Sequence, residues 1–237
     1  KKTVEKKFIN EASYVNGVQI VSSGENARYV VATPEEHYSI IKSLLNNGES
    51  VVSESPIAIN SSECKELFEL AREKGCFLFD GIKTAYSTAY SRMLLLVKSG
   101  KIGDVLSIDV TCTSMADFEE SDSIDGKWGS LCAWGPTALL PVFQILGTDY
   151  QDRKIVTKLI DVDKKFDAFT KIDFTYKNAV ASIKVAKKAK SEGELIITGT
   201  KGYIYVPAPW WKMDYFESRF ENPRENKRYF YQLDGEG

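Results

Sequence analysis

The stretch Ser50-Val51-Val52-Ser53 runs directly into Glu54-Ser55-Pro56, and upstream Tyr29-Val30-Val31-Ala32 runs in the same way into Thr33-Pro34. Each β-branched run is short, ends at a proline-bearing turn, and is followed by helical periodicity. Ile40, Ile41, Leu44 and Leu45 mark the first helix, which stops at Asn46-Asn47-Gly48. Leu67, Phe68, Leu70 and Ala71 mark the second, which starts at Asn60 with Glu63 three residues on and stops at Gly75. Cys76-Phe77-Leu78-Phe79 follows as a further buried strand. Strands alternating with helices of this length require parallel pairing through right-handed crossovers. Both turns then fall at carboxyl ends of strands, the edge of an open α/β sheet where ligands sit.

Before this core, Val4, Phe8, Ile9 and Ala12 predict a helix over 3–14, ended by Asn16-Gly17, and Val18-Gln19-Ile20-Val21 predicts a strand. Beyond Gly81 the character changes. A helix around Met93–Val97 leads to a strand over Val105–Thr113, then a polar loop over Asp117–Lys127. An apolar helix is predicted from Trp134 to Leu146. The remainder is strand-rich, with Lys177-Asn178 and Gly199-Thr200-Lys201-Gly202 as hairpin turns. The fold class expected is α/β: an incomplete Rossmann-like parallel-sheet domain over 1–81, then an α+β domain with a large, mainly antiparallel sheet over 82–237.

Composition narrows the function. With 43% hydrophobic and 27% charged residues, the 237-residue chain can bury a good core. A net charge of -2 gives no electrostatic footprint for nucleic acid or an anionic membrane. No apolar run reaches the length needed to span a bilayer, and the first residues carry no signal-peptide core. Cys64, Cys76, Cys112 and Cys132 are widely spaced, which reads as reduced, mostly buried thiols in a cytoplasmic protein. One histidine and scattered cysteines argue against a metal site.

The order strand–Ala-Thr-Pro–helix–strand–Glu-x-Pro–helix resembles the second half of the nucleotide-binding domain in the Gfo/Idh/MocA oxidoreductases, the family of glucose–fructose oxidoreductase and inositol dehydrogenase. The resemblance extends through Ser99-Gly100-Lys101-Ile102-Gly103-Asp104-Val105, Gly129-Ser130-Leu131 and Gly199-Thr200-Lys201-Gly202-Tyr203-Ile204. It implies NAD or NADP as cofactor and hydride transfer at a sugar, cyclitol or sugar-nucleotide carbon. It further implies homo-oligomers formed through the open face of the second sheet. Thr33, Pro34, His37, Glu54, Ser55 and Pro56 become the expected cofactor-binding residues, with Glu54 and Pro56 shaping the nicotinamide end.

Three departures accompany the resemblance. No G-x-G-x-x-G occurs, and the region after Ser22-Ser23 is too short for a full βα unit; the expectation is a partial sequence. Ser55 stands where the family carries a lysine. Ala133 and Thr137 stand where it carries an acid and a His or Tyr. Lys83, just past a strand end, is a candidate stand-in for the missing ammonium, or else a solvated linker lysine. Thr137 is the remaining candidate hydroxyl for catalysis. His37 is read as a base, or as a structural residue lining the groove. Trp210-Trp211 stacks on a sugar or, alternatively, caps the sheet. The alternative to an active oxidoreductase is a catalytically degenerate relative that binds a ligand or partner without turnover. Because the second relay position is also altered, Ser55→Lys alone is expected to give no robust turnover in a steady-state assay.

Overall fold

A computed structural model describes residues 12–15, 18–22, 27–115, 129–161 and 166–231. The chain divides into two compact units, one ending at Ile82 and the other beginning at Lys83. The expected loop over Asp117–Lys127 lies outside the described residues, as do residues 3–11 of the expected first helix.

The first unit is built on a five-stranded sheet in the order β1-β2-β3-β4-β5, formed by Ala12–Val15, Val18–Ser22, Ala27–Val31, Ser50–Ser53 and Leu78–Asp80. β3, β4 and β5 pair in parallel, as the alternation requires. β1 and β2 are antiparallel to each other, and β2 is antiparallel to β3. Ala12–Val15 is therefore strand and not the end of a helix. Asn16-Gly17, read as a helix stop, lies outside the described residues. The β1–β2 pair also covers the edge of β3.

Helices α1 (Pro34–Asn46) and α2 (Ser61–Lys74) are the two crossovers. Ile41, Leu44 and Leu45 of α1 and Leu67 and Ala71 of α2 close over Val30, Val51 and Leu78 of the sheet. The Asn60 side chain caps α2 by accepting from the Glu63 amide at 2.9 Å. Gly75 ends it at φ 67°, a left-handed conformation that favours glycine. β5 corrects the expectation of a fully buried strand. Only Leu78 points to the core, whereas Phe77 and Phe79 are 67% and 48% exposed. It is the edge strand, and its apolar run serves one face only.

The second unit is dominated by an eight-stranded sheet in the order β13-β12-β11-β10-β6-β9-β8-β7. In chain order these strands are β6 (Val105–Thr113), β7 (Asp152–Asp161), β8 (Phe166–Thr175), β9 (Val180–Ala186), β10 (Leu195–Gly199), β11 (Gly202–Val206), β12 (Tyr215–Phe220) and β13 (Lys227–Phe230). Only β6 and β9 pair in parallel; every other neighbour is antiparallel. Helices α3 (Thr88–Lys98) and α4 (Ser130–Leu146) bury Tyr90, Met93, Ala138 and Val142 against Ile108, Val110, Ile172, Ile183 and Ile197. Trp210 is fully buried, and its indole N–H donates to the Thr111 carbonyl at 3.2 Å. It is a core residue, which removes it from the sugar-stacking reading. Of the four cysteines only Cys112 is buried; the other three are half-buried.

The N-terminus of α4 is held from outside by Asp167 on β8. One Asp167 carboxylate oxygen accepts from the Leu131 amide at 2.9 Å and from the Thr170 hydroxyl at 2.8 Å. The Ser130 hydroxyl donates to the Asp167 carbonyl at 2.7 Å. A Cβ on Gly129 would stand 1.6 Å from the other carboxylate oxygen, so only glycine lets the acid approach. Asp167 thus does the work of an N-cap from a neighbouring strand. Asp167→Ala is expected to cost about 1–2 kcal/mol of the second unit's stability, read by urea denaturation.

Candidate functional site

Parallel pairing brings three turns to one edge of the first sheet. They follow β3, β4 and β5 and carry Thr33, Glu54-Ser55-Pro56 and Asp80-Gly81. Register places Val30 beside Ser53, and Ser53 beside Asp80. Two backbone bonds lock the edge: the Glu54 amide donates to Val30 O at 3.0 Å and the Gly81 amide to Ser53 O at 2.7 Å. A Cβ at position 81 would meet Ser53 O at 2.8 Å, so the glycine is what allows the second and third turns to touch.

The Thr33 turn is fixed by Glu36, whose carboxylate accepts from the Thr33 amide at 3.2 Å and from its hydroxyl at 2.9 Å. Pro34 opens α1, where its fixed φ suits the first helical turn. His37, one turn on, is 1% exposed. Its Nδ1–H donates to the Pro56 carbonyl at 2.6 Å, tying α1 to the turn after β4. Nε2 of the same ring is buried without a hydrogen-bond partner. The Ser55–Pro56 peptide is cis. The Ser55 hydroxyl donates to Asp80 Oδ2 at 3.2 Å.

Electrostatics at this edge centre on Asp80. Burial pushes its carboxyl above the ordinary aspartate range, outweighing hydrogen bonds from Ser55 and the Ile82 backbone and the nearby charge of His37. Burial and then the charges of Glu54 and Asp80 raise the Tyr29 phenol. Burial and the Asp80 charge raise the Cys64 thiol. Asp80 thus acts electrostatically on Tyr29 of β3 and Cys64 of α2, is acted on by His37 of α1, and accepts from Ser55.

Of the expected site residues, the structure brings Thr33, Pro34, His37, Glu54, Ser55 and Pro56 together in the first unit. Lys83 and Thr137 belong to the second. Lys83 is exposed at the start of the short 3-10 helix Lys83–Tyr86, and Thr137 is half-buried on α4. Thr84, a lesser candidate, is buried and spends its hydroxyl on the Trp211 carbonyl at 2.9 Å. Sequence reasoning missed Glu36, Tyr29 and Asp80. An acid at the carboxyl end of a strand and directly before a glycine was the available signal for the last.

The orphaned Nε2, the Ser55 hydroxyl and the Asp80 carboxyl make a polar, partly dry edge that fits the redox end of a nicotinamide cofactor. The sequence holds no glycine-rich turn of the G-x-G-x-x-G kind for a pyrophosphate. In the dinucleotide strand order, the place beside β3 belongs to the first strand; here the antiparallel β2 occupies it. Among the described residues no cluster of His, Cys, Asp and Glu could hold a metal ion. No helix of the described residues is long and apolar enough to cross a membrane.

Residues 2–82 match the profile of the GFO_IDH_MocA oxidoreductase family, NAD-binding Rossmann fold. The uncharacterized oxidoreductase YfiI of Bacillus subtilis is 31% identical over 129 residues, which is 51% of this chain and 30% of that protein. A dTDP-3,4-didehydro-2,6-dideoxy-alpha-D-glucose 3-reductase of Streptomyces violaceoruber is 27% identical over 137 residues, covering 56% of this chain and 40% of that one. The chain thus matches well under half the length of these curated relatives. The structure of KijD10, a 3-ketoreductase from Actinomadura kijaniata solved with NADP and TDP-benzene, superposes with a TM-score of 0.73 at 16% identity. That superposition covers 88% of this chain and 66% of KijD10, and shows a common fold for both units. The first unit, residues 2–82, thus matches the family of NAD-binding Gfo/Idh/MocA oxidoreductases, and the chain as a whole shares the fold of KijD10.

Proposed function

We propose that this protein is a nicotinamide-dependent oxidoreductase acting on a sugar, cyclitol or sugar nucleotide. The observation that carries the reading is the shared edge after β3, β4 and β5. There Thr33, His37, Ser55 and Pro56 are locked together by the His37–Pro56 bond and the Ser55–Asp80 bond. Relatives support the substrate class, since they include the sugar-nucleotide reductase named above and an inositol 2-dehydrogenase of Lactiplantibacillus plantarum. A nicotinamide bound at this edge supplies the hydride chemistry. The chain's own groups then orient and exclude water: the Thr33–Glu36 contacts hold the first turn, and His37 holds the second. Lys83 and Thr137, in the second unit, are proposed as the catalytic residues. We place the protein in the cytoplasm as a homo-oligomer joined through the open face of the second sheet.

A second reading is favoured by one observation. The side chain at position 55 carries no charge, and its hydroxyl is bonded to an acid. On that basis the protein binds cofactor and ligand without turnover. Fluorescence titration with NADH and NADPH, followed by nicotinamide absorbance across a panel of polyols and sugar nucleotides, separates the two. Saturable binding with turnover is expected. Binding without turnover across the panel selects the second reading, and failure to bind either cofactor rejects both.

A further inference from the structure

The acid at the end of β5 lies on the edge described above and is the residue that Ser55 touches. Ser55 Oγ lies 3.2 Å from Asp80 Oδ2. The contact is built in. β4 and β5 pair in register with Ser53 opposite Asp80, the Gly81 amide is bonded to Ser53 O, and a side chain at 81 would force the turns apart. We propose that Ser55 and Asp80 form the proton relay of this site, with the Ser55 hydroxyl as the catalytic group meeting the substrate oxygen and Asp80 as the positioning residue behind it. The proposal rests on the oxidoreductase reading above and deepens it.

The chemistry balances. In alcohol oxidation the carbinol C–H bond breaks, and its electron pair leaves with the hydride to an oxidised nicotinamide. The carbinol O–H proton passes to Ser55 Oγ as the serine proton passes to Asp80 Oδ2, and the C=O bond forms. Reduction runs the same steps backwards, starting from protonated Asp80. A serine hydroxyl alone is too weak a base for this exchange at neutral pH. A buried carboxyl is suited to it, because a relay works best when its acid titrates closer to the working pH.

The groups facing Asp80 give it that property. Tyr29 and Cys64 are themselves raised by burial and by the Asp80 charge, so they stay uncharged beside it. Glu54 adds negative charge at Tyr29. His37 and the hydrogen bonds from Ser55 and Ile82 favour the ionised carboxylate, and burial outweighs them. A lysine at position 55 would place an ammonium against this carboxylate and hold it ionised. Serine in that place leaves the carboxyl able to carry a proton.

The test begins without cofactor or substrate. Carbon-13 NMR follows the Asp80 carboxyl through a pH titration in the parent chain, Ser55→Ala and Ser55→Lys. The parent is expected to titrate above the ordinary aspartate value of about 4. Ser55→Ala should move it further up by removing a donor to the carboxylate, and Ser55→Lys should bring it down into or below the ordinary range. Stability gives a second readout. A carboxyl raised in the fold favours folding when protonated, and that advantage is lost as pH rises through its folded value. Asp80→Asn should therefore melt above the parent at neutral pH and approach it in acid.

With cofactor and a turned-over substrate, Ser55→Ala and Asp80→Asn should each lower kcat by roughly 10²-fold or more with little change in KM. Ser55→Thr, which keeps a hydroxyl, should retain most of the activity. The acid limb of the pH profile should follow the NMR value. If nicotinamide binds and turnover proceeds, but Asp80 titrates normally or Ser55→Ala is as fast as the parent, the relay is overturned and the oxidoreductase reading stands. If the cofactor does not bind, or no substrate turns over, the relay falls with the activity that it serves.

Discussion

Parallel register is the constraint on which the site depends. When β3, β4 and β5 run side by side in one direction, their carboxyl ends must share an edge, and whatever follows each strand is gathered there. The gathering is tight because Gly81 has no side chain. Its amide reaches Ser53 O at 2.7 Å, where a Cβ would sit at 2.8 Å from the same atom. Ser55 and Asp80 are neighbours for this reason and for no local one: 25 residues separate them along the chain.

Burial sets the chemistry of that edge. His37 is almost fully enclosed, gives its Nδ1 proton to Pro56, and keeps a bare Nε2. Asp80 is raised by the same enclosure. Charged groups removed from water must find partners or give up their charge. In the first unit Asp80 takes the second course and is pushed toward its neutral form. With serine at position 55, Asp80 has a neutral hydroxyl beside it there, where a lysine would place an ammonium.

The second unit handles its acids differently. Asp167 is consumed by the N-terminus of α4, giving the helix a fixed start where Gly129 leaves room. Glu217 is only 8% exposed and is held by two guanidiniums, Arg219 Nε at 2.7 Å and Arg228 Nε at 2.6 Å. Burial would raise the Glu217 carboxyl, but these two donors bring it below the ordinary glutamate range. Arg219 also lies over the Tyr205 ring, with its guanidinium carbon 4.4 Å from the centroid. Paired acids of this kind shape a sheet face, whereas burial raises the Asp80 carboxyl beside the Ser55 hydroxyl.

The sequence alone determined the crossovers. The period of Ile40, Ile41, Leu44 and Leu45 and the Asn60 cap fixed α1 and α2, and the β-branched runs fixed β3, β4 and β6, because these signals are local and repeat over enough residues to be read. It misjudged Ala12–Val15 and the Cys76–Phe79 run, since a short apolar stretch fits either period and does not reveal how many of its faces are covered. Turn chemistry at the strand ends singled out Thr33, Pro34, His37, Glu54, Ser55 and Pro56, which lie near one edge of the first sheet. Asp80 was not singled out, because an acid before a glycine acquires meaning only from what stands opposite it. Tertiary structure decided that: strand register set Asp80 across from Ser53 and within reach of Ser55, and the packing of α1 and α2 excluded the water that would have kept its proton affinity ordinary.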